Sequence, residues 1–76
     1  MRFEPITRYD LQLSIIIPVK DEAQNVTALA EEISDVLNAL AMSWQCIWID
    51  DGSTDTTLDE LAKVHRKDPC HQFISL

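Results

Sequence analysis

Basic residues are scarce in this chain of 76 residues: six Lys and Arg stand against 13 Asp and Glu, for a net charge of -7. A surface that follows a phosphate backbone needs clustered cations, so this balance argues against nucleic acid as a partner. An acidic chain can still approach an anionic ligand by recruiting a cation. Glycine is scarcer still: the single one, Gly52, lies far beyond the first apolar run. The dinucleotide fingerprint G-x-G-x-x-G and the P-loop both need glycines directly after a first strand, so neither is present. The two cysteines, Cys46 and Cys70, make no disulfide framework. Cys46 sits inside an apolar run and reads as a small core residue. Cys70 and His71, with His65 nearby, form a metal-like cluster that lacks the paired spacing of a structural zinc site. No apolar run approaches the roughly 20 residues that cross a bilayer. The opening "MRFEPITRYD" has no apolar core and does not read as a signal peptide. These absences lead to the expectation of a reducing, cytoplasmic environment.

Apolar residues are abundant, 46% of the chain, which argues against disorder. Residues 1–10 read as a polar lead-in. In "LQLSIIIP", Leu11, Leu13, Ile15 and Ile17 alternate and Ile16 makes the end apolar on both sides, as in a buried strand that Pro18 is expected to end. Val26, Leu29, Ala30, Ile33, Val36, Leu37 and Leu40 then recur at steps of three and four, an apolar stripe on a helix that Asp21 or Asn25 can cap. "WQCIWI" reads as a second strand, ended by Asp50 and Asp51. "STDTTLDELAKVHRK" reads as a second helix, capped by Ser53, Thr54 or Asp55, with Thr57 and Glu60 at capping-box spacing. Leu58, Leu61, Ala62 and His65 share one of its faces, with His65 at the half-exposed edge. Asp68-Pro69 breaks the chain and "FISL" makes a third strand. The order β-α-β-α-β predicts a three-stranded parallel sheet with right-handed crossovers, a Rossmann-like half-unit. Its open edges need cover, which suggests the N-terminal portion of a larger enzyme.

Ligands of open α/β sheets bind beyond the carboxyl ends of the strands. Two polar clusters fall there: Pro18 to Glu22 after the first strand, and Asp50 to Asp55 after the second. Carboxylates at such a rim can accept hydrogen bonds from a nucleobase or from ribose hydroxyls, or hold Mg²⁺ or Mn²⁺ against a diphosphate. Gly52 allows a sharp turn after the acids. Ser53, Thr54 and Asp55 read first as ordinary caps. The adjacent Asp50 and Asp51 repel unless something compensates them, and so point to a ligand. A calcium loop needs acids at alternate positions, not adjacent ones. Ser53 lacks a nucleophile-elbow context. The acidic polar face of the first helix makes it a poor membrane-surface helix. A receiver-like phosphoacceptor domain would need an Asp at the end of the third strand, and "FISL" has none.

"SIIIPVKDEAQNV" followed by "CIWIDDGSTDTTLDEL" resembles the start of a family 2 glycosyltransferase of GT-A fold. The nearest groups are dolichol-phosphate mannose synthase-like and undecaprenyl-phosphate sugar transferase-like enzymes. The resemblance covers residues 11–76, as a nucleotide-sugar-binding N-terminal segment. It implies a UDP- or GDP-sugar donor, a divalent metal (Mg or Mn) in the full-length enzyme, and a lipid-phosphate or saccharide acceptor at the cytoplasmic face of a membrane. Pro18 and Val19 would line the nucleoside pocket, Glu22 would contact the nucleoside, and Asp50 or Asp51 would meet base or ribose, with Asp51 favoured. Gly52, Ser53 and Asp55 would organise the loop. Lys20-Asp21 stand where Tyr-Asn is common, which weakens any aromatic stacking on the base from position 20 but leaves Glu22 in place. The family's metal-binding D-x-D, catalytic base and acceptor site lie beyond a third strand, so the chain is expected to hold half of a donor-nucleotide site and to be inactive alone. The alternative is a truncated, inactive α/β module that self-associates through its sheet edges.

Overall fold

The computed structural model describes residues 12–76, so the lead-in expected over residues 1–10, and Leu11, lie outside the described residues. The elements run β1 (Leu13–Val19), α1 (Ala23–Ala39), β2 (Trp44–Asp50), α2 (Thr57–Lys67) and β3 (His71–Ser75). All pairing is parallel, in the order β1-β2-β3, which is the Rossmann-like unit that alternating strand and helix patterns predict.

Several boundaries differ from the sequence expectation, each for a physical reason. Pro18 does not end β1: it pairs in register with Ile49, and the strand continues to Val19. β1 is an edge strand of the described sheet, where a missing N–H can face away from the ladder. β2 likewise continues through Asp50, which is level with Val19 on one side and Ser75 on the other. β3 starts at His71, two residues ahead of "FISL", and Leu76 lies past its end. α2 begins only at Thr57, with Thr56 at the N-cap; of the three expected caps only Asp55 reaches it, through the Thr57 N–H, while Ser53 and Thr54 bond to other partners. The Thr57–Glu60 capping box does not form; the Glu60 N–H bonds to Thr56 O and its carboxylate to Lys63. Neither Asp21 nor Asn25 caps α1, whose N-cap is Glu22 without a side-chain cap bond.

The core lies on one face of the sheet. Strand alternation puts Trp44, Cys46, Trp48 and Asp50 of β2 on that face, all buried. α1 adds Val26, Ala30 and Leu37, and α2 adds Leu61 and Val64. Burial pushes the Cys46 thiol up to about 11, so it stays protonated as a small apolar filler. The apolar stripe of α1 is narrower than expected: Leu29, Val36 and Leu40 are exposed. Thr27, Glu31 and Ser34 meet Glu60, Lys67 and Asp68 of the α2 side. At 3.6 residues per turn, Leu29, Val36 and Leu40 therefore fall on the flank away from α2. On α2 the buried face runs through Thr57, Leu61 and Val64, and Leu58 and His65 are exposed. The other sheet face carries Ile16 opposite Ile47, and Pro18, Ile49 and Ile74 in one row. No described element covers it, and Ile16 is 61% exposed.

Ala41, just after the α1 C-cap Leu40, holds φ 55. This left-handed position after a helix is one glycine fills at no steric cost. Ala41→Gly is expected to raise stability by about 0.5–1 kcal/mol, since a Cβ costs roughly 1–2 kcal/mol there and glycine returns part of that as entropy. An unfolding midpoint in urea that falls in this variant would contradict a left-handed residue 41.

Candidate functional site

Register brings the two polar clusters together. Val19 and Asp50 are paired at the carboxyl end of the sheet, and the Asp51 N–H donates to Val19 O at 3.0 Å. The loops after β1 and β2 then bond to one another in both directions. The Asp21 N–H donates to Ser53 Oγ at 2.9 Å, the Glu22 N–H to Thr57 Oγ1 at 2.9 Å, and the Ala23 N–H to Asp55 Oδ2 at 3.3 Å. In return Asp21 Oδ1 accepts the Thr54 N–H at 2.7 Å and the Asp55 N–H at 3.3 Å. The N–H groups of Glu22 and Ala23 at the start of α1 are thus satisfied from across the crossover rather than by a local side-chain cap.

The adjacent acids have different surroundings. Asp50 is 2% exposed, and its Oδ1 accepts both the N–H and the hydroxyl of Ser53. Asp51 is exposed, and its carboxylate has no hydrogen-bond or ion-pair partner among the described residues. Asp55 Oδ1 accepts the N–H and the hydroxyl of Thr57. The Thr57 hydroxyl holds the Asp55 carboxyl below its ordinary value, so it is ionised at neutral pH. Gly52 has φ 75, with open space where a Cβ would stand, so backbone conformation and not crowding requires glycine here.

Pro18, Val19 and Glu22 line a groove of about 360 Å³ between the outer edge of β1 and α1, together with Asn25. Glu22 Oε2 accepts from Asn25 Nδ2 at 2.9 Å. Asp50 and Asp51 do not line this groove; they join it only through the backbone at Val19. On β3 the position level with Asp50 is Ser75, so no third acid meets them there. Among the described residues no group of three or more His, Cys, Asp and Glu stands close enough to hold a metal ion. Asp50 and Asp55 are already engaged, so these residues alone do not fit a divalent ion. No described helix is long and apolar enough to cross a membrane.

Sequence reasoning passed over Thr57, which looked like a cap yet is fully buried between the two loops. A lone Thr on the inward face of an otherwise apolar helix stripe is the signal that could have found it. His71 was read only within the metal-like cluster with Cys70, not as a buried residue, yet it is 1% exposed. His71 Nδ1 accepts from Trp48 Nε1 at 3.0 Å, and Nε2 lies 2.8 Å from Ser34 Oγ. An indole only donates, so the His71 proton is assigned to Nε2, which donates to Ser34. The Ser34 hydroxyl then donates to Asp68 Oδ2 at 3.1 Å. Its proton points at a carboxylate and its lone pair at an N–H, so this is no nucleophile–base pair. Burial holds the His71 pKa below its ordinary 6.5, against the opposing pull of Asp68.

Comparison with known proteins adds independent findings. The family model described as "Glycosyl transferase family 2" matches residues 14–76. A dodecaprenyl-phosphate galacturonate synthase of Rhizobium johnstonii is 40% identical over 48 residues, 63% of this chain and 14% of that protein. An uncharacterized glycosyltransferase of Synechocystis is 30% identical over 66 residues, 87% of this chain and 21% of that protein. An undecaprenyl-phosphate 4-deoxy-4-formamido-L-arabinose transferase of Serratia proteamaculans is 35% identical over 60 residues, 79% and 17%. The chain thus spans between 14% and 21% of the length of these relatives.

Proposed function

Because this chain belongs to glycosyl transferase family 2, we propose that residues 11–76 are the nucleoside-binding half of a sugar-donor site. The whole protein would move a sugar from a UDP- or GDP-sugar to a lipid phosphate or saccharide at the cytoplasmic face of a membrane. The observation that carries this reading is Asp51: its backbone is tied to Val19, and its exposed carboxylate has no partner among the described residues, while Asp21, Asp50 and Asp55 all hold the loops. An uncommitted carboxylate at a strand rim suits an imide N–H or a ribose hydroxyl. Asp50 then acts through Ser53, and Gly52, Ser53 and Asp55 organise the loop. Pro18, Val19 and Glu22 offer the apolar and polar walls of the nucleoside pocket. The lipid-phosphate names of the relatives support that acceptor class. The divalent ion expected with such a donor would offset diphosphate charge, and no ligand for it is assigned to this chain.

A second reading rests on the uncovered sheet face, where Ile16, Ile74 and Leu76 are exposed. An open parallel sheet of this kind favours self-association of the chain as an inactive module. Calorimetric titration with UDP and with GDP in Mn²⁺ separates the two. Asp51→Ala is expected to weaken nucleotide binding by roughly 10- to 150-fold, the range of one hydrogen bond to a charged group. Equal affinity in variant and wild type would sink the role of Asp51. A chain that binds neither nucleotide and sediments as oligomers would favour the second reading.

A further inference from the structure

The geometry points to Asp21 as a positioning residue that sets the loop after β2 against the start of α1, and so fixes Asp51 relative to Glu22. This rests on the nucleotide-site reading above, but its own basis is separate. Asp21 is a non-glycine residue with φ 53, a conformation that costs an L residue and that Asp and Asn tolerate best. Its side chain accepts the N–H groups of Thr54 and Asp55 through one oxygen, Oδ1, which also lies 3.4 Å from the Thr54 hydroxyl. Its own N–H donates to Ser53 Oγ, and Ser53 is the residue that holds Asp50. One residue therefore bridges the segment that contains Glu22 and the segment that contains Asp51. The role needs an acceptor oxygen and a left-handed backbone, and no charge.

Three substitutions separate these requirements. Asp21→Gly keeps the left-handed backbone without strain and removes the acceptor. Asp21→Asn keeps both the backbone preference and an acceptor oxygen. Val64→Ala, in the core away from the rim, serves as a control for simple loss of stability. Amide hydrogen exchange and nucleotide affinity for UDP and GDP are measured on the same proteins. In Asp21→Gly the Thr54 and Asp55 amides are expected to exchange roughly tenfold faster or more, and affinity to fall about tenfold, the scale of one or two lost hydrogen bonds. Asp21→Asn should restore both to within about twofold. Val64→Ala should lower Tm while leaving affinity and the Thr54 and Asp55 exchange in place. If Asp21→Gly binds nucleotide as wild type does and protects both amides equally, the positioning role is overturned. If wild type binds neither nucleotide, the donor-site reading fails by itself. The exchange arm still decides the role of Asp21: unchanged protection in Asp21→Gly rejects it, and lost protection upholds it.

Discussion

Replacing Trp48 by Ala is expected to remove about 3–5 kcal/mol of stability, the usual cost of emptying a large buried aromatic site. Trp48 is 1% exposed at the centre of β2, the middle strand, with Val26, Leu61 and Cys46 in the same buried cluster. A domain of this length commands roughly 4–11 kcal/mol in all. The substitution thus takes a large share of the total, and Trp48→Ala should unfold at much lower urea than wild type. It also strands the imidazole of His71, which loses its indole donor. Urea unfolding followed by circular dichroism reads this directly. A loss smaller than about 1 kcal/mol would mean that the middle of the sheet is not packed as described. Surface substitutions nearby should not reproduce the effect, since they stay within about 0.5 kcal/mol.

Acidification through the histidine range is expected to destabilise the chain, and His71 is the cause. Its folded pKa lies below 6.5 because burial disfavours the imidazolium. Between the folded and unfolded values the unfolded state binds more protons, so stability rises with pH. The contribution is complete above 6.5 and is lost as pH falls through 6.5 toward the folded value. A proton on Nδ1 also removes the acceptor that Trp48 uses. Asp55 acts in the same direction but at lower pH, below its ordinary 3.8. His71→Leu should cost roughly 1–3 kcal/mol at pH 7.5 by leaving the Trp48 N–H unpaired. It should also flatten the slope between pH 7.5 and 5.5. A wild-type urea midpoint that holds or rises on going to pH 5.5 would contradict a neutral buried His71.

Much of the fold was legible because strands and helices alternate with clear periods. The strand cores, both helices and the parallel order follow from Ile15, Ile17, Trp48, Ala30 and Leu61 taken in sequence. Element ends were harder, because they depend on neighbours the local sequence does not name. Pro18 breaks a central strand but not an edge strand, and only the sheet order decides which it is. Ser53, Thr54 and Asp55 look like local caps of α2; Asp55 does meet the Thr57 N–H, but its other oxygen and the Ser53 hydroxyl serve the start of α1, and the Thr54 N–H goes to Asp21. A cap residue is selected by reach, and the parallel crossover puts a distant helix start within reach. Val36 and Leu29 fit the apolar period of α1, but the sheet and α2 leave that flank open. Topology alone places Pro18 to Glu22 beside Asp50 to Asp55. What periodicity could not separate was the division of labour between adjacent acids. Strand alternation buries Asp50 on the helix side, and Asp51 then projects from the end of the sheet.

The most direct test of the rim as a nucleoside site is a nitrogen–proton NMR titration of the chain with UDP and GDP in Mg²⁺. Mg²⁺ is used because it is diamagnetic and leaves the shifts readable. The largest saturable shifts are expected at the amides of Val19, Glu22, Asp51 and Gly52, and the same titration of Asp51→Ala should show them strongly reduced. Shifts centred instead on the contact between α1 and Asp68, around Ser34 and His71, or no saturable shift with either nucleotide, would contradict a nucleoside site at this rim.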